Sequence, residues 1–143
     1  MKVTVHNRGP EAARIHLLPT LWFRNAWTWD GEPKPVLSAD GAAVRTEHPD
    51  LGTLRLACDG ARELLFTENE TNAFRLWGQP NPTPFVQDAF HEYVVNGRGE
   101  AVNPGRTGTK AAAHHVLDIP AGGASTGRRA PSSTSTSPRS SSS

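Results

Sequence analysis

The alternation of apolar and polar positions along this chain predicts a series of short β-strands. Val3 and Val5 alternate with Lys2, Thr4 and His6, the period-two pattern of a half-buried strand. Asn7-Arg8-Gly9-Pro10 breaks that pattern with turn chemistry, and Ile15, Leu17, Leu21 and Phe23 then fall on one face of a second strand. Pro19 lacks the amide proton of a central ladder, which puts this strand at an edge or at a bulge. The two strands are expected to form a hairpin. Asp40-Gly41 and Asp59-Gly60 mark further turns. Leu54, Leu56 and Cys58 alternate before the second of these and Leu64-Leu65-Phe66 follow it, the pattern of another hairpin. The DGEPKP stretch at 30–35 reads as a loop. Ala113, His115, Leu117 and Ile119 alternate with His114, Val116 and Asp118 in a last strand before Pro120. Some five to seven such strands predict an all-β fold, a partial antiparallel β-sandwich.

Between Thr67 and Pro84 the periodicity disappears. This long irregular stretch is rich in Asn, Glu, Pro and aromatics, and loops of that composition commonly carry contacts. Val86, Phe90 and Tyr93 then recur near helical spacing, which predicts one short helix over Gln87–Val94. Asp88 stands near its start, where a carboxylate suits the helix dipole.

Composition divides the chain in two. Residues 1–120 form the foldable β domain, whereas 121–143 (AGGASTGRRAPSSTSTSPRSSSS) hold nine Ser and three Arg and no acid, a composition that predicts disorder. Without that tail, 12 Lys+Arg face 14 Asp+Glu, so the basic balance resides in the tail and no nucleic-acid groove is indicated. No apolar run is long enough to cross a membrane, and no charged-then-apolar leader opens the chain. Cys58 is the only cysteine, so no intrachain disulfide forms, and a reducing cytoplasm is the expected compartment. The sequon Asn69-Glu70-Thr71 is then a chance match.

The candidate chemistry is sparse. Asp88 and Glu92 would share one helix face, and Glu68 and Glu70 one strand face, so either pair could run acid–base chemistry or simply face solvent. His114 and His115 point to opposite faces of a strand and cannot chelate one metal, and no zinc spacing exists, so neither metal nor cofactor is expected. GRTGTK at 105–110 lacks phosphate-loop spacing and reads as a loop, from which Arg106 and Lys110 could donate to a polyol or carboxylate. Trp27 and Trp29 are candidates for a sugar-stacking pair, the basis of an alternative reading as a free-standing carbohydrate-binding module.

Four separated motifs occur in order: VTVHNRGPEAARIHLLPTLWFRN at 3–25, LLFTENETN at 64–72, DAFHEYVVNGR at 88–98 and VNPGRTGTKAAAHH at 102–115. Together they resemble the N-terminal β-sandwich region of bacterial glycoside hydrolase family 63 enzymes, over most of residues 2–123. The resemblance implies an inverting glycosidase parent acting on α-glucosides, α-mannosides, glucosyl- or mannosylglycerate or glucosylated oligosaccharides. It also implies that both catalytic carboxylates belong to an α/α-barrel absent from this chain, which alone is then inactive and carries no catalytic residue. Asn69, Glu70, Asn72, Asp88, His91, Arg106 and Lys110 become candidates for a substrate- or barrel-facing side, or for polar networks within the sandwich. Against that family, strands upstream of Met1 and beyond DIPAGG are missing, as in a truncated or frameshifted product, and open edges predict weak stability in isolation.

Overall fold

A computed structural model describes residues 2–31, 33–128 and 130–132. The strands are β1 (Lys2–His6), β2 (Ala13–Leu17), β3 (Thr20–Trp22), β4 (Val36–Asp40), β5 (Ala43–His48), β6 (Gly52–Ala57), β7 (Glu63–Thr67), β8 (Thr107–Gly108), β9 (Lys110–Ile119), β10 (Ala124–Arg128) and β11 (Ala130–Ser132). Three helices interrupt them: α1 (Trp27–Asp30), α2 (Ala73–Trp77) and α3 (Ala89–Asn96), with a single 3-10 turn at Gly99–Ala101. All the strand pairings are antiparallel, and the fold is all-β.

Long β9 organises one sheet. β2 and β3 run along one of its edges in a single register, from Ala13 opposite Ile119 to Trp22 opposite Lys110. At Pro19 the carbonyl still accepts from the Ala113 amide at 3.1 Å, so the ladder loses one bond there without slipping. β7 pairs along the other edge of β9, and the strand that contains Pro19 is an edge strand, as expected. Ile15, Leu17, Leu21 and Phe23 are all half-buried, consistent with their common face.

The second sheet has the order β11-β6-β5-β4-β8. The β4–β5 hairpin closes through Gly41-Ala42, with Gly41 at φ 60°, as the Asp40-Gly41 signal predicted. Leu37 and Val44 from this sheet meet Phe66, Leu64, Ala111 and Ala113 from the β7–β9 sheet, with Cys58, Leu21 and Phe23 closing the layer. Leu65 and Ala112, on the reverse face of the β7–β9 sheet, pack with Phe90 of α3, Val102, Leu18 and Tyr93. That sheet is therefore covered on both faces, which is why LLF and AAA read as unbroken apolar runs.

Two expected hairpins do not form. β1 pairs with β10, and β2 with β9, so Asn7-Arg8-Gly9-Pro10 joins strands that do not bond each other. Likewise β6 bonds β5 and β11, whereas β7 bonds β9. A turn dipeptide fixes a local reversal, while the partner strand is chosen by the face that has to be buried. The residues from Ala121 were expected to lack structure; Ala124–Arg128 and Ala130–Ser132 are strands, and 133–143 lie outside the described residues. The expected helix over Gln87–Val94 is found at Ala89–Asn96, and α1 and α2 are additional.

GRTGTK, expected as a loop, is a turn only at Gly105-Arg106 and then forms the crossing from β8 to β9. Thr107–Gly108 pairs with β4 in the second sheet, and two residues later Lys110 opens β9 in the first. At the crossing a Cβ on Gly108 would lie 2.3 Å from the Thr67 carbonyl oxygen, closer than atoms can approach. Gly108→Ala is expected to cost about 3 kcal/mol or more, read by urea denaturation. Thr46 makes the opposite case: it is buried between the sheets and its hydroxyl has no hydrogen-bond partner. Thr46→Val keeps the shape and removes the stranded hydroxyl, and is expected to raise stability by about 1 kcal/mol in the same measurement.

Candidate functional site

The irregular stretch is anchored at its base by the crossing. The Thr109 amide donates to the Thr67 carbonyl at 3.1 Å, and the Thr109 hydroxyl donates to Glu68 Oε2 at 2.8 Å. The same hydroxyl accepts from the Asn69 amide at 2.8 Å, and the Thr67 hydroxyl donates to the Val86 carbonyl at 2.8 Å. Glu68 N–H to Phe85 O and Gln87 N–H to Glu70 O bring the two ends of the stretch side by side. Residues 71–84 project from that clasp.

Several candidate residues build the clasp. Asn69 Nδ2 donates to the Phe23 carbonyl at 2.9 Å, which commits the sequon nitrogen to the fold. Glu70 and Glu68 share Lys34 Nζ, at 3.4 and 2.9 Å, so the two carboxylates do meet on one side. Partial burial alone would lower the Lys34 pKa, but the hydrogen bonds and charges of Glu68 and Glu70 win and raise it. Lys110 donates to the Gln87 carbonyl and lies 5.0 Å from the Phe90 ring centroid. Burial holds the Lys110 pKa below that of an ordinary lysine against the opposing charge of Asp88. Lys110, a candidate for a substrate- or barrel-facing side or for a polar network within the sandwich, ties β9 to the returning chain.

Beyond the clasp, Asn72 caps α2 by accepting from the Arg75 amide at 3.1 Å. Its Nδ2 donates to Asp88 Oδ1 at 3.1 Å, and Arg75 donates to Asp88 Oδ2 at 2.9 Å. Asp88 occupies the cap position of α3 but makes no capping bond, because its carboxylate is turned to these two donors. Asp88 and Glu92 line one cleft of about 260 Å³ with Asn81, Phe74 and Arg98. Partial burial raises the Asp88 pKa, but the donors outweigh it and hold the carboxyl below the usual range. The bond from Asn96 and the neighbouring Arg98 likewise lower the Glu92 pKa. The partners of both carboxyls thus favour the ionised form.

The remaining candidates lie apart. His91 is exposed on α3, and Arg106 is on the connection before β8, bordering a different cleft. Trp29 is 77% exposed, whereas the Trp27 indole N–H is buried without a partner. Two residues apart on a helix, the rings face different ways and form no common platform.

A buried polar chain escaped sequence reasoning. His114, 4% exposed, places Nδ1 2.9 Å from Glu63 Oε1, and Tyr93 of α3 donates to the same carboxylate at 2.9 Å. His114 Nε2 lies 2.8 Å from His16 Nδ1, with the rings stacked. An ionised carboxylate only accepts, so His114 donates from Nδ1; when neutral it accepts from His16 through Nε2. The link arises from the β7–β9 register, which sets Glu63 opposite His114, and the spacing of these residues along the chain gives no sign of it. His115, on the other face, approaches the Gly60 carbonyl at 3.2 Å.

Among curated proteins, the chain is similar to the uncharacterized protein YMR196W of Saccharomyces cerevisiae, at 34% identity over 151 aligned residues. The alignment takes in 85% of this chain and 14% of the yeast protein, so the chain spans a small part of that relative's length. No protein-family model and no solved structure matches it. Among the described residues no helix is long and apolar enough to cross a membrane.

Burial raises the Glu63 pKa, but bonds from His114 and Tyr93 outweigh it, so in the folded state it lies below the ordinary 4.5. Asp88 is likewise below 3.8. A carboxyl whose folded pKa is depressed stabilises above its unfolded pKa and loses that contribution as pH falls through the folded value. Stability is therefore expected to hold above about pH 5 and to fall progressively below it. Glu63→Gln is expected to lower the urea midpoint at pH 7, at a cost of about 1–3 kcal/mol, and to flatten the acid limb. An acid limb unchanged in that variant would remove Glu63 from this account.

Proposed function

We propose that this chain is the non-catalytic β-sandwich portion of a family 63-like inverting glycosidase of the α-glucosidase or glucosyl/mannosylglycerate hydrolase type. In this reading the segment between Glu68 and Gln87 packs on the α/α-barrel catalytic domain and frames the entrance for an oligosaccharide or glycosyl-glycerate substrate. The observation that carries the docking role is the apolar surface of α2. Phe74, Leu76 and Trp77 are 68%, 60% and 65% exposed, and the helix buries none of its residues. Covering such side chains is worth about 1.5–3 kcal/mol each, and an exposed cluster of this kind marks a surface that another body covers. The four ordered sequence motifs and the much greater length of the yeast relative support a neighbouring domain as that body. The paired, ionised state of Asp88 and Glu92 agrees with catalytic carboxylates that lie elsewhere. The lone, buried Cys58 suits a reducing cytoplasm.

Mixing this chain with the yeast relative from which the aligned segment has been removed tests the docking role. Association is expected for the natural chain and is expected to be lost in a Phe74→Ser, Trp77→Ser double variant. Because neither side chain is in the core, the double variant is expected to keep its own melting temperature and to self-associate less at high concentration. Equal association of both chains would overturn the docking role. Activity of the isolated chain on p-nitrophenyl α-glycosides, lost in Asp88→Ala, would overturn the non-catalytic assignment.

A further inference from the structure

At the end of the sandwich away from α2, three connections enclose a second cleft. It is lined by Gly41 and Ala42 of the β4–β5 turn, by Cys58, Ala61, Arg62, Glu63 and Leu64 around the β6–β7 turn, and by Arg106. Its volume is about 200 Å³, and the small side chains of Gly41, Ala42 and Ala61 keep it open.

Arg62 and Arg106 both border this cleft, both are exposed, and neither guanidinium makes an ion pair or side-chain hydrogen bond among the described residues. Arg14, Lys34, Arg45, Arg55, Arg75 and Arg98, by contrast, each reach a carboxylate within 4 Å. Glu63 supplies the only carboxylate in the lining, and both its oxygens are already taken, by His114 and Tyr93.

Arg106 carries a second mark. Its φ of 55° makes it the only non-glycine residue among those described with left-handed backbone, although glycine or asparagine adopts that conformation at less cost. The position is fixed by the Arg106 amide donating to Asn103 O at 3.1 Å and its carbonyl accepting from the Ala39 amide at 3.1 Å. A strained backbone that carries a long cation to the rim of a cleft is the kind of outlier found where a side chain has work beyond the fold.

We propose that this cleft binds an oxyanion, a carboxylate or phosphate group of a small ligand, held between the guanidiniums of Arg62 and Arg106. Each guanidinium offers planar paired donors that match two oxygens; Arg62 feels the charge of the neighbouring Glu63, but neither arginine reaches a carboxylate within ion-pair distance among the described residues. The site is separate from the α2 surface and does not depend on the docking role.

The test is a titration of the ¹⁵N-labelled full chain with sodium phosphate and, separately, sodium succinate, with sodium chloride at matched ionic strength as control. The arginine Nε–H resonances of Arg62 and Arg106 are followed. Saturable shifts in both are expected, with affinity about tenfold weaker in Arg62→Gln and in Arg106→Gly. Arg106→Gly relieves the backbone while removing the cation, so it is expected to melt no lower than the natural chain, and weaker binding there does not come from misfolding. Saturation by phosphate alone assigns a phosphoryl ligand, and by succinate alone a carboxylate ligand. Shifts no larger than with chloride, or affinity unchanged in both variants, would overturn the site.

Discussion

The tightest constraint in this fold is the short crossing from β8 to β9, one of several places where the chain changes sheets. Thr107–Gly108 belongs to the five-stranded sheet and Lys110 to the sheet built on β9, so one residue, Thr109, sits in the hinge between them. That hinge is closed by backbone contact. Gly108 packs directly on the Thr67 carbonyl, and the Thr109 amide donates to the same oxygen. Asn103 adds a bond from its amide to Phe66 O and from its side chain to Thr107 O. Thr67 and Thr109 are buried, so every polar group they bring must find a partner within the junction, and their hydroxyls do so on Val86 O and Glu68 Oε2. The crossing and the root of the irregular segment are consequently one structure. A change that loosens the crossing releases the segment.

The sheet entering that crossing is covered on both sides, which sets the role of α3. Phe90 seals Leu65 and Ala112, and one turn later Tyr93 reaches Glu63. The helix is thus attached by an apolar seal at one end and a hydrogen-bonded carboxylate at the other. Buried His114 gives the carboxylate its second donor and passes the chain of bonds to exposed His16 on the edge strand. A hydrogen-bonded chain centred on a buried histidine fixes register as well as adding stability, because shifting β7 by one residue against β9 would strand His114 without its acceptor.

What the sequence makes legible is what each segment settles within itself. The common face of Ile15, Leu17, Leu21 and Phe23, the edge position signalled by Pro19 and the two-residue turn at Gly41-Ala42 all follow from local stereochemistry. Partner choice does not. Asn7-Arg8-Gly9-Pro10 and Asp59-Gly60 are turns, yet the strands on their two sides do not pair with each other, and β1, β2 and β7 find partners more than forty residues away. Ala111, Ala112 and Ala113 form the middle of the core sheet, but alanine carries too little apolar signal to announce a core strand. The site candidates divide in the same way. Asn69, Glu70, Asn72, Asp88 and Lys110 were singled out for their polarity, and the structure brings them to one side of the molecule, in two adjoining hydrogen-bonded groups. Arg106 stands apart because the crossing sends it to the opposite end, and Arg62 was passed over because nothing in a single arginine beside a turn marks it.

The irregular segment combines a hydrogen-bonded polar base with exposed apolar side chains at its tip. Glu68, Glu70 and Asn72 are turned to Lys34, Thr109 and Asp88, while Phe74, Leu76 and Trp77 are exposed. Were polarity there to solvate the segment, the order would be reversed. Hydrogen bonds to buried or half-buried partners lock the base in one conformation, and a locked base presents the aromatic tip without a further ordering cost on association. Under the proposed docking role this arrangement would act as a preorganised contact surface, with rigidity from the hydrogen-bonded base and association free energy from the apolar exterior. The carboxylates that first suggest chemistry are part of the scaffold, and in the proposed docking role the residues that would meet the partner are the hydrophobic ones.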